Sequence, residues 1–393
     1  MKKIWILSVL ILVGAIGAGL WLLGEEHAEI RASVSVAEAM GGGSEEGYLR
    51  ASGPREFVFP EDHGPHPGYR TEWWYYTGNL FSQKGRQFGY QFTIFRSQLN
   101  PPDSGETGTA QGADWNTDQL YLGHFAISDV QNQNHVFDER YSRGAAGLAG
   151  AQVEPFEIWL EDWRITRLNP DESNDKNFPT RIQARMENGA SIDIEVTPSK
   201  PLTLQGDQGY DKKGPEEGNA SYYLSFTRME TKGTVSVGDD TFQVEGQSWM
   251  DHEWSTSALG EDQEGWDWFS IQLSNGYDLM YYQLRNTDGS ISTFTTGSLI
   301  DPDGNKTTIS PEDVNLEVTD RWESPHSGAE YPSQWTLEIP KENLRLELAT
   351  LFDDQEMDVS VRYYEGTISV NGTMNEKEIG GQGYIEMTGY GED

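Results

Sequence analysis

A histidine set between two acids and two residues from an indole, Asp251-His252-Glu253-Trp254, is the densest chemical grouping in this 393-residue chain. Side chains of an extended strand alternate faces, so His252 and Trp254 would share one face and Asp251 and Glu253 the other. An imidazole beside carboxyls moves protons near neutral pH, and an indole face screens positive charge. Such a set suits proton transfer to and from a bound molecule. The grouping lies in residues 246–269 (GQSWMDHEWSTSALGEDQEGWDWF), which also supply Trp266 and Trp268. A second cluster, residues 68–80 (GYRTEWWYYTGNL), places Trp73, Trp74, Tyr75 and Tyr76 in a row behind Arg70 and Glu72. Alternation sends Trp73 and Tyr75 one way and Trp74 and Tyr76 the other, so both faces need cover. Function is expected between these two segments.

Other reactive residues carry weaker patterns. Arg70 and Glu72 read either as a buried pair that organises a cavity or as an exposed cross-strand pair. His124, within GHFAISD, is placed to orient a ligand group or to act as a satisfied polar group in the core. His252 has a structural reading too, as a hydrogen-bonded histidine bridging two barrels. His63 and His66 stand near Glu61 and Asp62, but Pro60, Pro65 and Pro67 forbid a helix that would present both rings together, so no metal is expected. No Gly-x-Ser-x-Gly elbow accompanies Ser248 or Ser255, and no glycine cluster opens a helix to hold phosphate. No cofactor is expected.

The elements that position these residues read as strands. Tyr90, Phe92 and Ile94 alternate, as do Ile192, Ile194 and Val196. Turn signals recur at Asn188-Gly189, Gly238-Asp239, Asn275-Gly276, Asp288-Gly289, Asp303-Gly304 and Asn371-Gly372, each between strand-like runs. Hairpins so joined form antiparallel meanders, and curling them into barrels protects their edges. The only helical signal after the N-terminus is short, near 311–314, with Ser310 as a cap. An all-β fold of antiparallel barrels follows. Residues 100–117 read as a long loop, either a lid or a plain insertion, and residues 169–177 as an acidic excursion.

Composition bounds the function. The 393 residues exceed what one core usually serves. With Lys and Arg totalling 28 against 64 acids, the net charge of -36 repels nucleic acid; dispersed acidity of this kind also serves solubility. Cysteine is absent, so disulfides and thiolate metal sites are impossible. Lys2 and Lys3 precede an apolar run over residues 4–23, which reads as a signal peptide or membrane anchor and predicts export to the periplasm or another extracytoplasmic space. The organisation expected is 1–23 as signal or anchor, 24–55 as flexible linker, 56–235 as first barrel and 236–393 as second.

Phe59-Pro60-Glu61-Asp62-His63, TEWWYYTGNL, GHFAISD, WMDHEWS, GWDWFSIQL and Gly383-Tyr384-Ile385-Glu386-Met387-Thr388-Gly389-Tyr390 occur in an order that resembles the AttH-like and carotenoid 1,2-hydratase family, related to hydroxyneurosporene synthase. The likeness runs over about residues 57–391. It implies tandem lipocalin-like (calycin) barrels with ligand space at or between them. It also implies that His252 and Trp254 act with a tyrosine and an aspartate from the following strand, where Tyr281, Tyr282 and Asp278 stand; Asp278 is not where the family's acid is expected. The expected function is binding of an apolar or amphipathic, isoprenoid- or lipid-like ligand in an aromatic cavity. Catalytic roles fall to His252, Trp254, Tyr281 and Asp278, and ligand contacts to Arg70, Glu72, Trp73, Trp74, Tyr76, His124, Trp266, Trp268 and Tyr282. The alternatives are a hydratase-like lyase and an accessory scaffold of a membrane transporter complex.

Overall fold

The computed structural model describes residues 45–102, 117–169, 178–257, 259–260 and 262–391. The expected signal or anchor, most of the 24–55 linker, most of the 100–117 loop and nearly all of the 169–177 excursion lie outside them. Among the described residues no helix is long and apolar enough to cross a membrane. Sixty per cent of the chain is strand and 4% helical. One of the short 3-10 turns, Pro311–Asp313, falls where the helical signal stood, although Ser310 makes no side-chain capping bond.

Two antiparallel sheets account for the strands. Along the first, hydrogen-bonded neighbours run Asn134–Arg143, Gln119–Asp129, Gln87–Gln98, Thr71–Ser82, Asp240–Ser255, Ala220–Val237, Ser191–Pro198, and then four shorter strands ending at Ala149–Gln152. The sheet curls until Phe92 and Phe125 from one end meet Trp163 from the other in a single core. Along the second, the order is Lys306–Ile309, Thr296–Ile300, Asp278–Asn286, Gln263–Leu273, Lys377–Thr388, Tyr363–Met374, Leu344–Thr350, Glu330–Ile339 and Asn315–Glu323. It wraps its own core, in which Phe269, Tyr281, Trp335 and Ile385 are buried. The tandem lipocalin-like architecture is therefore present.

The sheets change over between Ser255 and Gln263, not near 235. Ala220–Val237 and Asp240–Ser255 form one long hairpin turned at Gly238, whose φ is +61°, and both of its arms belong to the first sheet. A turn signal marks a hairpin, and a hairpin does not by itself end a domain. The Asn371-Gly372 signal also differs from expectation. Gly372 lies within a paired strand, and a Cβ there would meet the Arg345 carbonyl oxygen at 2.0 Å. Glycine at this position permits close backbone approach. The actual turn is made by Asn375 and Glu376, with φ of +51° and +64°, the left-handed pair that a tight hairpin requires.

The alternation of residues 73–76 decides how the two barrels meet. Trp74 and Tyr76 enter the first barrel's core, while Tyr75 and Trp73 join a third apolar cluster with Trp249, Trp268, Met280, Tyr282 and Tyr363. This cluster takes residues from the outer faces of both sheets, so the aromatics left over by each barrel cover one another.

Candidate active site between the barrels

Where those outer faces meet they line a cavity of about 400 Å³ that opens to the surface. Thr71, Trp73 and Tyr75 reach it from one strand, Asp251 and Glu253 from its neighbour, Trp266 and Trp268 from the Gln263–Leu273 strand, and Tyr282 and Leu284 from Asp278–Asn286. The final hairpin contributes Tyr363, Glu365, Glu386 and Thr388. His124 and Lys213 also line it.

Four carboxyls face a mostly apolar space, and burial governs their protonation. Burial pushes Asp251 up to about 7, although its carboxylate accepts hydrogen bonds from Ser225, Tyr223 and Trp249. Burial likewise pushes Glu386 up to about 8; the Trp266 indole, donating to its Oε1 at 2.9 Å, opposes this, and the Asp251 charge adds to it. Glu365 is fully buried and lies well above the usual carboxyl range, first through desolvation and then through the nearby Glu386. Glu253 is raised by burial, with Lys213 at 3.3 Å acting in the opposite sense. Lys213 is held well above its ordinary value because Asp211, 2.7 Å away, and Glu253 outweigh its desolvation. At neutral pH the cavity therefore presents acids that still carry protons, the condition for general acid catalysis.

On the opposite side of the wall stands a second polar network. Glu72 and His252 are fully buried, and Glu72 Oε1 accepts from His252 Nε2 at 2.8 Å and from His66 Nδ1 at 2.7 Å. Arg96, directly across the ladder from Glu72, donates to Oε2 at 2.7 Å. Burial would raise the Glu72 carboxyl, but Arg96 and the two histidines hold it well below its usual range. Burial lowers His66, yet Glu72 and Asp62 together raise it. His252 is lowered by burial and only partly supported by Glu72, so it stays neutral, donates its Nε2–H to Glu72 as a hydrogen bond and leaves Nδ1 without a partner. Trp74 stacks on His252 and Trp254 on His66, the latter with ring centroids 3.6 Å apart. One donor atom each of His66, Glu72 and His252 lies within 4.8 Å of the others, a metal-ligating composition. Here these atoms hydrogen-bond one another, and Arg96 supplies the counter-charge.

The profile of the AttH-like family matches residues 50–390. The chain belongs to this family. It is 24% identical over 216 residues to kievitone hydratase of Fusarium solani subsp. phaseoli, and the match spans 53% of the chain and 59% of that relative's length. A protein of Nitrosomonas europaea assigned to AttH superposes with a TM-score of 0.74 at 30% identity, covering 87% of this chain and 99% of that one. Kievitone hydratase of Nectria haematococca superposes at 0.65 with 13% identity, over 87% and 96% of the two chains, which shows a shared fold.

In this AttH-like chain the sequence-expected residues separate into two places. Trp73, His124, Trp266, Trp268 and Tyr282 line the cavity. Glu72, Trp74, Tyr76, His252 and Trp254 face away from it, into the first barrel and its end, because the strands that carry them present their other face to the second barrel. Glu72 pairs with Arg96 across the ladder, whereas Arg70 precedes the strand and does not line the cavity. Tyr281 is in the second barrel's core, one residue out of phase with Tyr282. Asp278 is fully buried between Lys200 at 2.8 Å and Arg228 at 2.6 Å, where it ties the first sheet's long hairpin to the second sheet. Replacing Asp278 by Ala strands those cations, and the expected loss is about 3 kcal/mol of folding stability, read as a lowered denaturation midpoint. Tyr75, Asp251, Glu253, Glu365 and Glu386 were not among the candidates. Asp251 and Glu253 were legible as the other face of the His252 strand. Glu365 stands between Tyr364 and Gly366, and Glu386, within the closing motif, between Ile385 and Met387, so neither has a charged residue beside it that would mark a pair.

Proposed function

We propose that the cavity between the barrels binds a neutral, largely apolar molecule and moves protons on it, as a hydro-lyase of the hydratase kind does. The observation that carries this reading is the coexistence of aromatic walls with carboxyls that burial raises into the neutral range, Asp251 to about 7 and Glu386 to about 8. Apolar walls favour a neutral ligand and raise the acids; the raised acids in turn disfavour an anionic ligand. Membership of a family with hydratase homologues agrees with this chemistry. Lys2, Lys3 and the apolar run over 4–23 support an extracytoplasmic site of action, which cell fractionation tests directly.

The binding step is tested with Prodan, a neutral solvatochromic dye, on the full chain. Its emission should shift to that of an apolar environment, and Trp268→Ala should weaken binding by ~2 kcal/mol, about thirtyfold. Emission that stays aqueous at every dye concentration would overturn the reading. Extraction of the purified protein and mass spectrometry then separate a carrier, whose ligand leaves unchanged, from a lyase, whose ligand gains or loses one water.

A further inference from the structure

We infer that Glu365 and Glu386 form a proton-sharing carboxyl pair in which Glu365 donates the proton to the bound molecule and Glu386 accepts one from water. The inference rests on the reading of the cavity given above and assigns its chemistry to two residues. Glu365 and Glu386 are directly opposed on neighbouring antiparallel strands, and both line the cavity. Opposed residues on one face hold their Cβ atoms roughly 4.5–5.5 Å apart, so two ionised carboxylates here would repel each other strongly in an apolar surround.

The hydrogen bonds distribute the single proton. Tyr75 donates to Glu365 Oε2 at 2.8 Å, while Glu365 Oε1 is buried and has no partner. Oε1 is therefore the oxygen left to carry the proton. Glu386 Oε1 instead accepts the indole N–H of Trp266 at 2.9 Å, a bond that favours the charged form. The other titratable groups near the pair are Tyr363 from the same hairpin, Tyr384 two residues before Glu386 on the same face, and Asp251 and Glu253 from the first sheet; His124, which also lines the cavity, is bonded to Tyr363 and paired with Glu139. None of these tyrosines and acids is a cation, and Lys213, the cavity's ammonium, is committed to Asp211 and Glu253.

The substrate class this pair suits is a neutral molecule with an electron-rich carbon–carbon double bond. Glu365 gives its proton to one carbon; the π electrons form the new C–H bond and leave the adjacent carbon cationic, beside the faces of Trp266 and Trp268. Water attacks that carbon through oxygen as Glu386 removes its proton, forming the C–O bond. The product has gained one water, and the pair again holds one proton, now on Glu386. The Tyr75 hydroxyl, which bears on both carboxyls, offers the return path. Elimination of water is the same sequence reversed.

The test is an infrared pH titration of the protonated-carboxyl band in the full chain, Glu365→Gln and Glu386→Gln, with Prodan binding measured on the same samples. A sharing pair predicts that removing either glutamate lowers the titration midpoint of the other by about one pH unit or more, since the like charge is gone. Midpoints that do not move in either variant overturn the pair. Should the variants fail to fold, carboxyl NMR of the wild-type chain replaces them: two coupled steps support the pair, and two independent steps overturn it. Coupled midpoints without Prodan binding would sink the ligand-binding reading alone. Prodan binding with independent midpoints would sink the pair alone.

Discussion

Replacing Glu72 by Ala should lower folding stability by about 3–5 kcal/mol, a large share of what a domain possesses. The side chain is fully buried and holds three partners at once: Arg96, His66 and His252. Its removal leaves a guanidinium at 1% exposure with no carboxylate beside it. It also removes the acceptor of His252, whose ring then stacks on Trp74 with no hydrogen bond to orient it, and leaves His66, stacked on Trp254, held by Asp62 alone. Urea denaturation at neutral pH measures the loss. Glu72→Gln retains an acceptor but no charge and should fall between the two. A loss under about 1 kcal/mol for the alanine variant would show that the network is not ionised and buried as described. Because His252 belongs to this network, a stability defect in a His252 variant is expected whether or not the residue takes part in chemistry. Activity loss there needs a folding control before it is read as catalysis.

Stability should also decline as pH rises from about 7 to about 9, above the range where the buried neutral His63 and His135 act in the opposite sense, and opposite to the trend of a protein held by salt-bridged carboxylates alone. The sign follows from the cavity acids. Asp251, Glu386, Glu365 and Glu253 all lie above their ordinary values in the folded chain. Between the unfolded and folded values the native state binds protons that the unfolded state has released. Their contribution is complete below the unfolded carboxyl range and is lost as pH climbs through about 7 for Asp251 and about 8 for Glu386. Carboxyls held low act in reverse: Asp62 and Glu139, each lowered to about 2, contribute above the unfolded range and lose that contribution as pH falls toward 2. Self-repulsion at a net charge of -36 adds to the alkaline loss. Folding free energies at about pH 7 and about pH 9 should differ by roughly 2 kcal/mol or more, and Glu386→Gln should flatten the slope. A midpoint that rises steadily across that range would contradict protonated acids in the cavity. The same window bears on function. Glu365, held well above the ordinary carboxyl range, remains a donor at neutral pH, whereas ordinary carboxyls would already have discharged theirs.

The two networks are separated by a single strand pair yet do opposite electrostatic work. On the barrel side, Glu72 has Arg96 and is held ionised; on the cavity side, Glu365 has Tyr75 and Glu386 and keeps its proton. The difference lies in the partners, since both glutamates are fully buried.

Much of this was legible in the residues themselves. Alternation over 73–76 and 250–254 sets which side chains share a face, because a strand's period of two is a property of the backbone. The turns at Asn188-Gly189, Asn275-Gly276, Asp288-Gly289 and Asp303-Gly304 are where the composition puts them, with each glycine at positive φ. The all-β class follows from the same two signals. Tertiary structure alone decided which face of the His252 strand meets the cavity, since alternation defines two faces and assigns neither to a ligand. It also decided that the space lies between the barrels, where leftover aromatics of one sheet cover those of the other, and that Glu365 and Glu386 face each other across a ladder. An acid with uncharged neighbours looks the same in sequence whether it points to solvent or to a partner, and only the pairing of its strand with another, packed against the first barrel, turns it into a site.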